Sequence, residues 1–224
     1  MIALALDTAT SATVVGLQTS DGTIRELRDD VAPGQRPRHT QRLLAMAAEL
    51  LADAGAGFDR LELLVVGIGP GTFTGLRIGI ATARALAQAT NAPLVGLSSL
   101  RVLAAASPGP TLALIDAGRG EVFAAGYEDG RELIGPTAVA PVNLHSLAGD
   151  RRWLAVGSGA LRFRGQVEDA FVTVPPDESA LHRVSARAML GLALEDDVDA
   201  RGAVTPLYLR LPDAELALLR TAKP

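Results

Sequence analysis

Two aspartates, Asp7 and Asp116, each close an apolar run and open a turn: Asp7-Thr8-Ala9-Thr10 and Asp116-Ala117-Gly118-Arg119-Gly120-Glu121. In a two-lobed fold such strand ends face each other across a cleft, where two carboxylates can hold Mg²⁺ through water. The plain alternative is an Asx-turn, in which the side chain caps its own backbone. A third stretch, residues 67–79, reads GIGPGTFTGLRIG. Backbone N–H groups in a glycine-rich strand-to-helix turn, together with the helix dipole, favour an anion. The candidate nucleotide-binding residues are therefore Asp7, Thr8, Gly69, Gly71, Thr72 and Asp116.

Familiar phosphate loops do not fit. With four residues between, Gly69 is followed by Thr74 rather than glycine, and no lysine follows Gly75, so this is not a P-loop. The dinucleotide pattern G-x-G-x-x-G fails at Thr72 in one register and at Thr74 in the other. A phosphate cradle of another kind stays open. So does a purely structural role, since Gly75 and Gly79 are spaced to let another backbone approach the new helix.

Metal and nucleophile chemistry have weaker support. The histidines are His39, His145 and His182, and none has a histidine one helical turn away; four residues after His39 comes Leu43. The chain has no cysteine, which excludes disulfides, thiolate ligands and a cysteine nucleophile, and fits a reducing cytoplasm. His39 reads as a residue at the start of a helix. Ser98-Ser99 and the GSG at 157–159 lack the nucleophile elbow G-x-S-x-G.

The elements that would position these residues are legible in part. Ile2–Leu6, Ala12–Gln18 and 23–28 read as a β-meander with a turn at Ser20-Asp21-Gly22. Residues 40–54 form the clearest helix, with Leu43, Leu44, Ala47, Leu50, Leu51 and Ala54 at helical spacing, Thr40 as N-cap and Gly55 as stop. A buried strand over 61–66 leads into the glycine loop. A second helix over 76–89 comes next, then a strand over 93–96.

The first meander has an echo. LALDTATSATVVGLQTSDG (4–22) aligns with LALIDAGRGEVFAAGYEDG (112–130), bringing Asp7 to within a residue of Asp116. Chance likeness of two meanders is one reading, and duplication is the other. Duplication gives two lobes, 1–100 and 101–224, each opening with a meander. The second is the reduced one, with a single strong helix over 182–195.

Bulk properties narrow the classes further. The 224 residues are 48% hydrophobic, so the chain folds around a sizeable core. A net charge of −4 argues against tight direct binding of nucleic acid. Lys223 is the only lysine among 21 basic residues. No apolar run approaches the ~20 residues of a membrane span, and MIALALD lacks the basic flank of a signal peptide.

Taken together, LALDTAT (4–10), RHTQRLLAMAAELL (38–51), GPGTFTGLRIG (69–79), PLVGLSSL (93–100), IDAGRGEVFAAGY (115–127) and TPLYLR (205–210) resemble the TsaB family, also called YeaZ. The match runs along nearly the whole chain, with GPGTFTGLRIG its most specific part. After the last arginine the sequence continues LPDAELA, where the family often has polar residues.

The resemblance implies an α/β fold of the actin-like ATPase (ASKHA, ribonuclease H-like) type. It implies a cytoplasmic, non-catalytic subunit of tRNA threonylcarbamoyladenosine synthesis that scaffolds and activates TsaD. TsaD transfers the threonylcarbamoyl group to N6 of adenosine 37 in tRNAs reading ANN codons, and TsaE, an ATPase, joins them. TsaD carries paired metal-binding histidines where this chain has Leu43 beside His39. A homodimer is expected without TsaD, tRNA is met only through the complex, and ADP or ATP has a place at a partner interface. The resemblance directs the two helices outward, through His39, Leu43, Leu44, Met46, Ala47, Leu50, Leu51, Leu76, Ile80 and Ala83. On that reading, Leu43→Glu with Leu50→Glu leaves the monomer folded and abolishes binding. The competing classes are an actin-fold small-molecule kinase or ATPase, and the glycoprotease-like metallopeptidase of the family's older label.

Overall fold

A computed structural model describes residues 1–32, 34–169, 171–195 and 204–210. Apolar runs buried on both faces form β1 (Ala3–Asp7) and β2 (Thr13–Gln18), and the more exposed β3 (Ile24–Asp29) completes a meander at the sheet edge. Next come α1 (His39–Asp53), β4 (Leu63–Gly69), α2 (Phe73–Thr90), β5 (Leu94–Ser98) and α3 (Ser99–Ala105). The second half opens with another meander, β6 (Thr111–Gly118), β7 (Glu121–Glu128) and β8 (Arg131–Val139). It continues with α4 (Leu144–Ala148), β9 (Trp153–Val156), α5 (Ser158–Arg162), α6 (Arg164–Val167), β10 (Val172–Thr173) and α7 (Ala186–Glu195). The LPDAELA stretch after Arg210 lies outside the described residues.

The two sheets have one topology. The first runs β3-β2-β1-β4-β5 and the second β8-β7-β6-β9-β10, each with an antiparallel meander followed by two parallel strands. Asp7 pairs with Val14 in the first sheet and Asp116 with Val122 in the second. The echo in sequence is thus an echo in strand order and register.

Three cores stack the molecule. On the outer face of the first sheet, Leu4, Leu6, Val15 and Leu17 meet Leu43, Met46, Leu50 and Leu51 of α1 and Ile80 and Ala83 of α2. On the outer face of the second sheet, Leu112, Leu114 and Val122 pack with Leu144 of α4, Ala160 of α5 and Val167 of α6. A central core joins the inner faces of both sheets through α3 and α7. These two helices are exchanged. Helix α7 follows the second sheet in sequence but lies on β1 and β2, and α3 follows the first sheet but packs on β6 and β7 as well as on β4 and β5. The division expected at residue 100 therefore follows the sheets and not the helices.

Boundaries also differ from expectation. Helix α1 begins at His39 with Arg38 as N-cap and no side-chain cap bond, not at Thr40. Helix α2 begins three residues early at Phe73, because the Thr72 hydroxyl accepts from the Gly75 N–H as an N-cap. Residues 180–182 form a 3₁₀ turn, so the last helix starts at Ala186 rather than 182.

Candidate functional site

The first turn is closed by its own chain. Asp7 is fully buried: one carboxylate oxygen accepts from the Ala9 N–H at 2.9 Å and the other from the Ser99 hydroxyl at 2.9 Å. Burial pushes its carboxyl above the usual carboxylate range, against those two hydrogen bonds and the charge of Arg28. The Thr8 hydroxyl donates to the Gly75 carbonyl at 2.7 Å, and the Thr72 N–H donates to the Ala9 carbonyl at 2.8 Å. The glycines explain how this fits. A Cβ at Gly71 would lie 2.1 Å from the Ala9 carbonyl oxygen, one at Gly75 2.1 Å from that of Thr8, and one at Gly79 2.3 Å from the Thr8 hydroxyl. A Cβ at Gly67 would lie 1.8 Å from the Asp7 carboxylate. The glycine row is a groove into which residues 7–9 pack.

The second turn is open. Asp116 is half-buried, accepts from the Gly118 N–H at 2.9 Å and pairs with the Arg162 guanidinium, while its own N–H donates to the Ser158 hydroxyl. A cleft of ≈ 620 Å³ separates the lobes here. Gly71, Thr72 and Phe73 line one side, Asp116 to Arg119 line the other, and residues 207–210 run along it. The structure thus brings Gly71, Thr72 and Asp116 together and leaves out Asp7, Thr8 and Gly69. The two aspartates do not share a cation site, because Asp7 is sealed in the first lobe and Asp116 is neutralised by Arg162. A separate pocket between Thr10–Ala12 and Ser158, His182 and Arg183 is only ≈ 120 Å³, below the ~300–1,000 Å³ of ligand pockets. Among the described residues, no three histidine, aspartate or glutamate side chains are grouped to hold a metal ion.

His39 is buried at the start of α1, with Nδ1 2.9 Å from the Thr13 hydroxyl. Burial pushes its imidazole below the ordinary value, against a hydrogen bond with the Thr10 backbone and the charge of Asp29. The apolar residues expected at an interface mostly face inward. Leu43, Met46, Ala47, Leu50, Leu51, Leu76, Ile80 and Ala83 are each at most 3% exposed and lie within this chain. All of these except Leu76 fill the core beneath α1 and α2, because those helices present that face to Leu4, Leu6 and Val15. Leu44 alone of the set stands out, at 49% exposure. The expectation for Leu43→Glu with Leu50→Glu is accordingly corrected: both glutamates would enter the core and unfold the lobe. Outward, α1 shows Leu44, Ala45, Ala48 and Ala52, and α2 beside it shows Ala81 and Ala85.

Known proteins match this arrangement. The profile of the family described as "TsaD: tRNA N6-adenosine threonylcarbamoyltransferase" matches residues 31–151. The "tRNA threonylcarbamoyladenosine biosynthesis protein TsaB" of Bacillus subtilis is 31% identical over 94% of this chain and 100% of its own length. The chain belongs to the TsaB family. "YeaZ from Pseudomonas aeruginosa" superposes with a TM-score of 0.76 at 26% identity, covering 93% of this chain and 99% of that one. An uncharacterized protein of Mycobacterium leprae is 34% identical over 96% of this chain, which spans 56% of that protein's length. As a TsaB-family member the chain has the expected actin-like fold of two duplicated lobes, and its second sheet is as complete in strand order as its first.

Sequence reasoning missed the roles of several residues that build the cleft and the two turns. Ser99, which holds Asp7, and Ser158, which holds the Asp116 turn, read in sequence only as candidate nucleophiles, and Arg162, which pairs with Asp116, carries no motif of its own. Tyr208 and Arg210 lie inside the TPLYLR stretch that marked the resemblance, and that stretch was the signal available for finding them. No helix among the described residues is long and apolar enough to cross a membrane.

Proposed function

We propose that this chain acts in tRNA threonylcarbamoyladenosine biosynthesis as a non-catalytic scaffold and activator of TsaD, with TsaE joining the complex. Threonylcarbamoyl transfer to N6 of adenosine 37 is then the work of TsaD, and tRNA is met only through the assembly. The observation that supports this reading is the packing of Thr8 and Ala9 onto Gly71, Gly75 and Gly79, which commits that side of the strand-to-helix turn to internal contacts. ADP or ATP in the complex then belongs to the shared interface rather than to this loop.

The docking surface in this proposal is the outward side of α1 and α2. Leu44 is its largest apolar side chain, and the alanines around it allow helices to approach closely. The same side serves self-pairing when TsaD is absent, so homodimer and heterodimer compete. Leu44→Glu with Ala48→Glu tests this, because both positions are exposed. The variant keeps its circular dichroism and melting temperature, its affinity for TsaD from the same organism falls at least about tenfold, and the mixture modifies tRNA no faster than TsaD alone. A folded variant that still forms a complex of full mass and activity overturns the assignment.

A second reading, an actin-fold small-molecule kinase or ATPase, draws on the ≈ 620 Å³ cleft, which lies in the size range of ligand pockets. Sustained ATP turnover by the purified chain alone decides for it.

A further inference from the structure

The segment Val204–Arg210 lies outside every helix and strand, yet it is tied at both ends. In the first lobe, the Arg84 guanidinium of α2 donates to the Val204 carbonyl, and the Leu207 N–H donates to the Ile68 carbonyl at 2.8 Å. The Tyr208 ring packs on Phe73 with centroids 5.2 Å apart, Arg77 lies 3.8 Å over the same Phe73 ring, and Arg77 Nε donates to the Tyr208 hydroxyl at 3.3 Å. In the second lobe, Arg210 uses two different nitrogens: one donates to Glu121 at 3.0 Å, the other to the Ala117 carbonyl at 2.9 Å. Seven extended residues reach at most ~25 Å, so ties at both ends set the distance between them within narrow limits.

We propose that residues 204–210 form a strap that fixes how far the inter-lobe cleft opens and couples the Asp116 turn to the first turn of α2. The first lobe's anchor is a three-part stack at the start of α2, on Phe73, Arg77 and Tyr208. The second lobe's anchor is the turn that carries Asp116 and Gly118. A displacement of one lobe pulls on the other through the Tyr208–Arg210 stretch. Lysine at 210 cannot replace the arginine, because a single ammonium does not reproduce a planar fork reaching two separate acceptors.

The test is amide hydrogen exchange on the full chain. Glu121→Gln, which keeps size and shape, weakens the second-lobe anchor without emptying any core position. Exchange at Gly75 and Leu76, whose N–H groups close the first turn of α2 on Thr72, then rises roughly threefold to tenfold, although residue 121 lies in the other lobe. Arg210→Lys gives the same pattern, and Tyr208→Ala gives the reciprocal one, faster exchange at Gly118. Small-angle scattering shows a larger radius of gyration for all three. A rise confined to residues 117–121 in Glu121→Gln, with α2 and the radius of gyration unchanged, overturns the proposal.

Discussion

Asp7 and Asp116 end equivalent strands in equivalent sheets, yet one is sealed and the other open. The difference arises in the turn after each strand. In the first lobe the turn is laid into a row of glycines running from β4 through Gly71 into α2, so Thr8 and Ala9 pack directly on that row. In the second lobe the strand-to-helix glycines, Gly157 and Gly159, press on Leu114 and not on the turn; a Cβ at Gly118 or Gly120 would meet nothing within 4 Å, and the Asp116 carboxylate reaches outward to Arg162. Duplication copies strand order and register, whereas the chemistry of a turn depends on neighbours that diverge freely. Identical topology is therefore poor grounds for assigning the two turns one role.

The largest effect that tests this contrast is steric. Gly75→Ala drives a methyl into the Thr8 carbonyl, which only a backbone shift relieves. We expect a loss of about 3 kcal/mol or more in urea unfolding. Gly120→Ala has open space and meets only the strain of a left-handed backbone at φ 78°, a cost of about 1 kcal/mol. Equal costs would erase the distinction between the lobes.

Next comes the pair of carboxylates. Asp7→Ala leaves the Ser99 hydroxyl and the Ala9 N–H unpaired in the core and costs about 2–3 kcal/mol. Asp116→Ala loses a partly exposed ion pair worth at most about 1 kcal/mol and the bond from the Gly118 N–H, which solvent can replace at the open turn. Asp7→Asn sharpens the contrast through pH. The native Asp7 carboxyl titrates above its unfolded value, so its contribution is full below about pH 3.8 and is lost as pH rises through the raised value. The urea midpoint of the natural chain, taken relative to that of the Asp7→Asn variant, declines from acid to neutral pH.

The smallest effect concerns His39, again in the first lobe. Its imidazole titrates below the ordinary 6.5, so the stability it contributes is present above that pH and is lost as pH falls through the depressed value. His39→Gln removes this slope, so the melting temperature of the natural chain relative to the variant falls by a few degrees as pH drops from neutrality through the depressed value. An unchanged slope would show that another group titrates there.

Much of the fold was legible because strands and turns leave local marks. The two meanders share an apolar run, an aspartate and an acidic-glycine turn, and the structure pairs them in one register. The direction of a helix face was not legible. In α1, Leu43 and Leu44 are adjacent and equally apolar, yet one faces the sheet and the other solvent. Composition cannot tell them apart, because facing is set by the sheet beneath. The packing role of the glycine loop was equally hidden: the spacing that admits a phosphate also admits a neighbouring backbone, and the contact with Thr8 and Ala9 is seen only in the fold. The exchange of α3 and α7 left no trace either, since neither helix carries a signal for the sheet it will cover.

That exchange limits what shortening the gene can achieve. An open reading frame stopped after residue 100 would encode a sheet whose inner side, with Ala3, Ala5, Val14, Leu63 and Val65, has lost the helix that shields it. The product would clump rather than persist as half a protein. Neither half can be discarded, so the polypeptide has to be made whole.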